Sequence, residues 1–335
     1  MRELGSAGFR LEDLPRPRPG AGEVLIGVRR VGINQLDLNV IAGVGPGLQA
    51  RLPRVLGIDP SGIIEELGSG VPAELLGARV VVKPNIACGD CQYCRDGHDG
   101  DCPKQTVVGV HRDGGAAEYV CVPHTNVIVI GDLDFSTATA AIHSVPIALH
   151  MINAAGNIRA GRTVLVTGAG GALGSVAVQL ARNAGARVIA AVRREDVDLP
   201  NGVEKVVHTT ADQLLDQVRA IAPDGVDTTV DATGVGSIAT VGVRALGWGG
   251  RFVFCAASVD PDITVDLRSL YLGRRSIVGT ASASRAEARE AIEFVRNGAV
   301  VPLIEHHIFL DEAIDAYRSF GQRARGGKVI IHVAD

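Results

Sequence analysis

The sequence carries little net charge: 33 Lys and Arg stand against 37 Asp and Glu, a formal −4 at pH 7. That balance gives no general pull toward nucleic acid or an anionic membrane, and neither is expected as a partner. Long apolar runs are missing too. Each is broken by charge, glycine or proline well short of the roughly 18 residues that a membrane span needs. The opening MRELGSAGFR has no apolar stretch of the kind a secretory leader requires, so a cytoplasmic location is expected. Cysteine is scarce, six in 335 residues, which argues against a disulfide scaffold. What remains is 46% hydrophobic and 21% charged, the composition of a globular chain long enough for two domains.

The most informative stretch is T-G-A-G-G-A-L-G, Thr167 to Gly174. An apolar strand, Val164-Leu165-Val166, runs into it, a helical pattern from Ser175 to Asn183 follows, and a second strand candidate spans Arg187 to Val192. Strand, glycine-rich turn and helix in that order open a mononucleotide-binding βαβ unit. Gly168 permits the sharp turn, Gly171 lets backbone approach a pyrophosphate, and Gly174 lets the helix pack close to the strand. The helix N-terminus then offers free N–H groups to phosphate, so Gly168, Gly170, Gly171, Ala172, Leu173 and Gly174 are the expected coenzyme-facing residues.

Before this turn the chain reads as short strands and glycine turns. Candidates are Glu23 to Val31, Val55 to Asp59, Gly62 to Gly68, Ala78 to Val82 and Gly114 to Val120, with a short helix after Gly32. A helix capped by Ser136 is expected to reach His143, with a second apolar helix from Val145 to Ala155. From Thr163 onward strands and helices alternate as far as Ser276–Gly279, the pattern of a doubly wound parallel sheet. Helices over Arg285–Arg296 and Asp311–Phe320 and a closing strand from Lys328 to Val333 complete the chain.

Four of the six cysteines are bunched. Cys88, Cys91, Cys94 and Cys102 follow C-x2-C-x2-C-x7-C in a loop threaded with glycine and aspartate, which suits a closed structural zinc site. An iron–sulfur cluster or free thiols are the competing readings. Cys121 and Cys255 read as small buried hydrophobes.

With these features, nearly the whole chain resembles the medium-chain dehydrogenase/reductase superfamily, the group of zinc alcohol dehydrogenases and quinone oxidoreductases. The resemblance implies an α/β protein. A mostly β, GroES-like catalytic domain would occupy residues 1–143 and 280–335, with the zinc lobe at about 84–104, and a Rossmann coenzyme domain residues 144–279. It also implies hydride transfer with NAD(P) at the cleft between the domains, and dimers or tetramers built by pairing coenzyme domains. The backbone near Thr233 and Ala256 would line the coenzyme cleft.

The catalytic-zinc motifs are where this sequence departs. The family's G-x-C-x-S/T-D segment reads Gly32-Ile33-Asn34-Gln35-Leu36-Asp37, so Asn34 replaces the thiolate and Leu36 the relaying hydroxyl. The G-H-E-x-x-G motif reads Gly57-Ile58-Asp59-Pro60-Ser61-Gly62, with Ile58 in place of the histidine ligand. The third ligand position falls near His143, and a lone imidazole is a poor zinc site. His143 is then either a residual ligand or a hydrogen-bonded structural residue. This G-x-N-x-x-D form is similar to the quinone oxidoreductase and enoyl reductase branch, which transfers hydride without metal.

Asn34 is the candidate oxyanion stabiliser, with a turn residue bonding local backbone as its other reading. Asp37 and Asp59 are expected to organise the site through hydrogen bonds. Leu36, Ile58 and Ile147 suggest an apolar pocket. Tyr93, Tyr119, Tyr271 and Tyr317 cannot be placed relative to the nicotinamide.

At the end of the second coenzyme strand, Val192 stands where an NAD-binding carboxylate is expected, and Arg193-Arg194 follows. Guanidinium groups match a phosphate, so NADP(H) is expected over NAD(H); solvated arginines, or Asp196 as a ribose ligand, are the alternatives. The sequence therefore points to an NADPH-dependent reductase of an apolar enone, enoyl or quinone substrate, one structural zinc per subunit, and a homodimer or homotetramer. The alternatives are an alcohol or ketone dehydrogenase with a degenerate or absent metal site, and a non-catalytic coenzyme-binding sensor.

Overall fold

The computed structural model describes residues 1–5, 8–208, 210–257, 260–320 and 326–334. The first stretch of chain forms β1 (Glu23–Ile33), α1 (Gln35–Ala42), β2 (Ser61–Leu67) and β3 (Arg79–Val82). A small lobe follows with β4 (Asn85–Ile86), α2 (Gln92–Arg95) and β5 (Thr106–Val107), and then β6 (Tyr119–Pro123), β7 (Val127–Val129) and α3 (Phe135–His150). Strand and helix next alternate through β8 (Thr163–Thr167), α4 (Ala172–Asn183), β9 (Arg187–Val192), β10 (Glu204–Val207), α5 (Ala211–Ile221) and β11 (Val226–Asp231). The alternation continues with α6 (Gly236–Arg244), β12 (Leu246–Phe254), α7 (Leu267–Leu272) and β13 (Ser276–Gly279). The chain closes with α8 (Arg285–Arg296), β14 (Ile304–Phe309), α9 (Ala313–Ser319) and β15 (Lys328–His332).

These elements make two compact units. One comprises residues 1–143, 284–296 and 304–335, the other residues 144–283 and 297–303. In the first, the strands lie in the order β14-β15-β1-β2-β3-β7, with β6 also paired to β1. Strand β1 has a core on each face, as its period of two requires. Val24, Ile26 and Val28 pack with Val80, Val82, Val120 and Val122, while Val31 and Ile33 pack with Val40, Leu56, Val329 and Ile331. Antiparallel register pairs Ile33 with Val329 and Gly32 with Ile330. One step further along the same register, Lys328 faces Asn34.

The second unit is a parallel sheet in the order β10-β9-β8-β11-β12-β13. Strand order reverses between β8 and β11, the place where such sheets leave a crevice at their carboxyl ends. Its core joins Leu165, Ile189 and Phe252 of the sheet to Leu214 and Val218 of α5 and Val241 of α6.

Three local expectations change. Residues 135–150 form one helix rather than two, with Pro146 inside it, and the chain continues as a π-helical turn over Met151–Ala155. The Asp134 carboxylate, not Ser136, takes the first-turn N–H, that of Thr137, at 2.9 Å. The joined helix is long and apolar enough to cross a membrane, yet its most apolar window is 78% buried within the protein, as in a core helix. Val55–Asp59 is not a strand. It bonds to the loop at Gly114–Ala116, with Gly114 N donating to Val55 O at 2.9 Å. Finally, β10 and β14 were not apparent in the sequence pattern, and β12 starts at Leu246 rather than Arg251.

Candidate active site

Asn34 is the N-cap residue of α1, but its side chain makes no cap bond to that helix. The amide turns instead toward Asp59 and Lys328. Asn34 Nδ2 donates to Asp59 Oδ2 at 2.9 Å and to Gly32 O at 3.2 Å. The Lys328 ammonium donates to Asn34 Oδ1 and lies 2.7 Å from Asp59 Oδ2. Gly32 N donates to the other Asp59 oxygen at 2.8 Å. A side chain at position 32 would not fit, because its Cβ would stand 2.6 Å from Lys328 Cε and 3.0 Å from Asp59 Oδ1. Both amide hydrogens of Asn34 are thus spent inside the protein. In place of the expected oxyanion donor, Asn34 is a brace between a buried carboxylate and a buried ammonium.

Asp37 holds the adjoining backbone. Its carboxylate accepts from Asn34 N at 2.9 Å and from Gly57 N at 3.0 Å. Burial pushes this carboxyl up to about 7, against the two N–H donors that favour its charged form. Beside it is Tyr317, whose hydroxyl is buried with no hydrogen-bond partner among the described residues; burial raises the phenol, and the charges of Asp37 and Asp59 raise it further. Sequence reasoning left Tyr317 unplaced, and the structure stacks it on Phe9 at 5.7 Å in the core, away from solvent.

His143 reaches the same neighbourhood from α3. Ser61 Oγ, at the start of β2, bonds Thr139 Oγ1 at 2.8 Å and Phe135 O at 3.0 Å, pinning the turn before His143. Thr139 and His143 are four residues apart and share a helix face. Burial, and after it the Lys328 ammonium, push the imidazole down to about 4, so it is neutral at physiological pH. Asp59 opposes and Lys83 adds to that shift. Neither ring nitrogen has a hydrogen-bond partner among the described residues, and the side chain is half-buried. Of the apolar positions expected around a pocket, Leu36 is half-buried and Ile58 is fully packed, while Ile147 is 8% exposed in the other unit.

Asn34, Ile58, Asp59 and His143 do not form a plausible catalytic-metal site. Ile58 has no donor, Asn34 is committed, and an ammonium already neutralises the carboxylate. Lys328 is the residue that sequence reasoning missed. Nothing near it in sequence marks it, and only the β1–β15 register brings it opposite Asn34.

In the second unit the glycine turn leaves a close backbone approach at an open helix end. Gly168 has φ 69°, and a Cβ at Gly174 would lie 2.1 Å from Gly168 O. Gly171 is the N-cap of α4, leaving the N–H groups of Ala172, Leu173 and Gly174 at the open helix end. A Cβ at Gly170 would meet the Val197 side chain at 3.2 Å. Asp231, at the end of β11, orders the neighbouring turn, accepting from Thr167 Oγ1 at 2.5 Å, from Thr233 Oγ1 at 2.7 Å and from Gly234 N at 3.3 Å. Ala256 follows β12 and is half-buried. Val192 ends β9 buried. Arg193 is exposed with no partner among the described residues, whereas Arg194 is held by Asp196, with Nε at 2.7 Å from Oδ1. These residues fit a dinucleotide.

The four cysteine sulfurs lie within 4.8 Å of one another. Neighbouring pairs are 3.4 Å (Cys91–Cys94), 3.5 Å (Cys88–Cys102), 3.8 Å (Cys91–Cys102) and 3.9 Å (Cys88–Cys94) apart. A tetrahedron with zinc–sulfur bonds of about 2.3 Å has edges of about 3.8 Å, so the set fits zinc closely. The lobe is tied to α8 through Asp99, which accepts from Arg285 N at 3.1 Å and pairs with its Nε at 3.2 Å. Cys121 and Cys255 are half-buried rather than fully buried.

Residues 20–132 match the alcohol dehydrogenase GroES-like domain, and residues 172–297 match the zinc-binding dehydrogenase domain. The chain is 29% identical to acryloyl-coenzyme A reductase of Sulfurisphaera tokodaii, over 97% of this chain and 96% of that protein. It superposes on a solved NAD-dependent alcohol dehydrogenase with TM-score 0.92 and 32% identity, covering 100% and 98% of the two chains. It also matches a zinc-binding dehydrogenase of Sinorhizobium meliloti 1021 solved with bound NADP, with TM-score 0.84, 30% identity and coverage of 96% and 94%. A GroES-like unit joined to a Rossmann unit with a glycine phosphate turn defines a two-domain NAD(P)-dependent oxidoreductase. The chain belongs to the medium-chain dehydrogenase/reductase superfamily.

Proposed function

We propose that this enzyme uses NADPH to reduce the activated C=C bond of an enoyl thioester or related enone or quinone, without a catalytic metal. One observation carries the reading. Where metal-dependent members gather thiolate and imidazole ligands, this chain places a lysine–aspartate–asparagine brace and a single unpartnered, neutral histidine. The likeness to acryloyl-coenzyme A reductase supports the same chemistry.

When bound, the coenzyme supplies a hydride. The glycine turn and the α4 N-terminus hold its pyrophosphate, and the exposed Arg193 takes the 2′-phosphate, with Arg194 in a lesser role because Asp196 already occupies it. His143 donates a ring N–H to the substrate carbonyl oxygen, where charge collects as the β-carbon is reduced. A neutral imidazole suits this task, since it polarises the oxygen without surrendering its proton. Asn34, Asp37 and Asp59 hold the wall against which the imidazole stands. Cys88, Cys91, Cys94 and Cys102 bind one structural zinc, which shapes the lobe and takes no part in the chemistry.

We also infer a cytoplasmic homo-oligomer, built through the coenzyme unit. Its edge strand β13 has one strand neighbour, and Trp248, Tyr271 and Leu267 are 72%, 70% and 76% exposed on that unit.

The test is a substrate panel of acryloyl-coenzyme A, crotonyl-coenzyme A, a quinone, simple ketones and simple alcohols, each with NADPH or NADP⁺ and with NADH or NAD⁺. The expected outcome is enoyl or quinone reduction favouring NADPH. Turnover confined to alcohols and ketones would replace this reading with an alcohol dehydrogenase, as the likeness to the solved alcohol dehydrogenase allows.

A further inference from the structure

Resting on the enoyl-reductase reading, we propose that Lys328 is a catalytic residue: its ammonium donates a hydrogen bond to the substrate carbonyl oxygen beside His143, supplying the positive charge that a metal supplies elsewhere. An ammonium carries three donor hydrogens. On Lys328 one is donated to Asn34 Oδ1, and the ammonium is also ion-paired with Asp59 Oδ2 at 2.7 Å. The third has no partner among the described residues, although the side chain is only 5% exposed. A buried lysine with an unused donor is uncommon in a protein interior, where polar groups are normally satisfied. His143, equally without a partner, lies near enough for the ammonium to act on its titration. Lys328 and His143 thus bring two donors with no partner among the described residues into one neighbourhood, which is what an oxyanion site needs.

The chemistry balances simply. Hydride, a proton with two electrons, leaves the dihydronicotinamide of NADPH and forms the new bond at the β-carbon. The π pair of the C=C bond shifts toward the carbonyl, giving an enolate whose oxygen bears the charge. The Lys328 and His143 hydrogens remain on their nitrogens and stabilise that oxygen. The α-carbon then takes a proton from water, leaving the saturated thioester and NADP⁺. Asp59 and Asn34 fix the ammonium in place, so little reorganisation is needed as the charge appears.

The experiment compares wild type with Lys328→Met and Lys328→Arg in the zinc-loaded full chain, using crotonyl-coenzyme A as probe. Three quantities are read: the single-turnover rate of hydride transfer, the Kd for NADPH, and the carbonyl stretch of the bound thioester without coenzyme. Expected for Lys328→Met are a rate about 100-fold to 1,000-fold lower, in line with loss of one oxyanion donor, an NADPH Kd within about twofold, and loss of the carbonyl red-shift seen in wild type. Methylammonium should restore part of the rate. Lys328→Arg should keep the fold and part of the red-shift, and it carries the test if Lys328→Met does not fold.

An unchanged rate and stretch in either folded variant overturns the assignment while leaving the enoyl-reductase reading intact. So does a rise in NADPH Kd with an unaltered hydride step, which would direct the ammonium to the coenzyme phosphates. A wild type that reduces ketones but no enoyl or quinone substrate overturns both.

Discussion

Lys328 Nζ lies 2.7 Å from Asp59 Oδ2, in a pair whose side chains are 5% and 0% exposed. An isolated buried charge is costly, so removing one partner of such a pair typically costs about 3–5 kcal/mol. Asp59→Asn should therefore lower unfolding free energy by about 3 kcal/mol, measured by urea denaturation. Adding Lys328→Met to it should recover much of that loss, because no charge is then left alone. Additive single effects would show that the pair is not energetically coupled.

The glycine turn separates packing from ligand approach. A Cβ at Gly174 would come within 2.1 Å of Gly168 O, whereas one at Gly171 has its nearest neighbour at 3.4 Å. Gly174→Ala should destabilise the coenzyme unit and lower the melting temperature. Gly171→Ala should melt like the wild type yet bind NADPH at least about 10-fold more weakly, since its methyl would face the pyrophosphate. Calorimetry and coenzyme fluorescence titration separate the two effects.

Coenzyme choice should rest unequally on the two arginines. Arg193 is exposed and uncommitted, while Arg194 is engaged by Asp196. Arg193→Ala should raise KM for NADPH about 10-fold and leave that for NADH unchanged, the loss expected for one charge-assisted phosphate contact. Arg194→Ala should have the smaller effect. Equal losses with both coenzymes would place Arg193 away from the 2′-phosphate.

Much of this architecture was legible in the residues. Thr167 to Gly174 announced a strand, a tight turn and a helix in that order, and the four cysteines announced their cluster by spacing alone. Asn34 and Ile58 could be singled out as departures from a metal-binding pattern, with Asp59 and His143 as candidate site residues beside them. Their partner could not. Lys328 meets Asn34 across 294 positions of sequence, through a register fixed by apolar packing of β1 and β15. A lysine opening an apolar strand gives no local sign of such a pairing. Nor could sequence show that the Asn34 amide hydrogens are both taken, since that depends on the placing of the Asp59 carboxylate and the Gly32 carbonyl. The single helix over Phe135–His150 was hidden because Pro146 argues locally for a break, whereas burial of the apolar flanks holds the helix together.

Asp37 gives a pH signature. Its folded-state pKa is raised to about 7 from 3.8, chiefly by burial. A raised carboxyl favours the folded state at low pH, and that contribution is lost as pH rises through about 7. The denaturation midpoint of the wild type should therefore fall more steeply between about pH 4 and pH 7 than that of Asp37→Asn, and run parallel to it above about 7. Parallel pH curves for the two proteins would show that Asp37 is ionised throughout.

The central claim is hydride transfer to an activated double bond by an enzyme whose metal is structural. Its most direct test pairs elemental analysis with steady-state reduction of acryloyl-coenzyme A by NADPH, on protein purified without added metal or chelator. The account predicts one zinc per chain, lost in Cys91→Ser, and wild-type turnover that added zinc or cobalt does not raise. Two zinc ions per chain, or turnover appearing only with a second equivalent of metal, would contradict it.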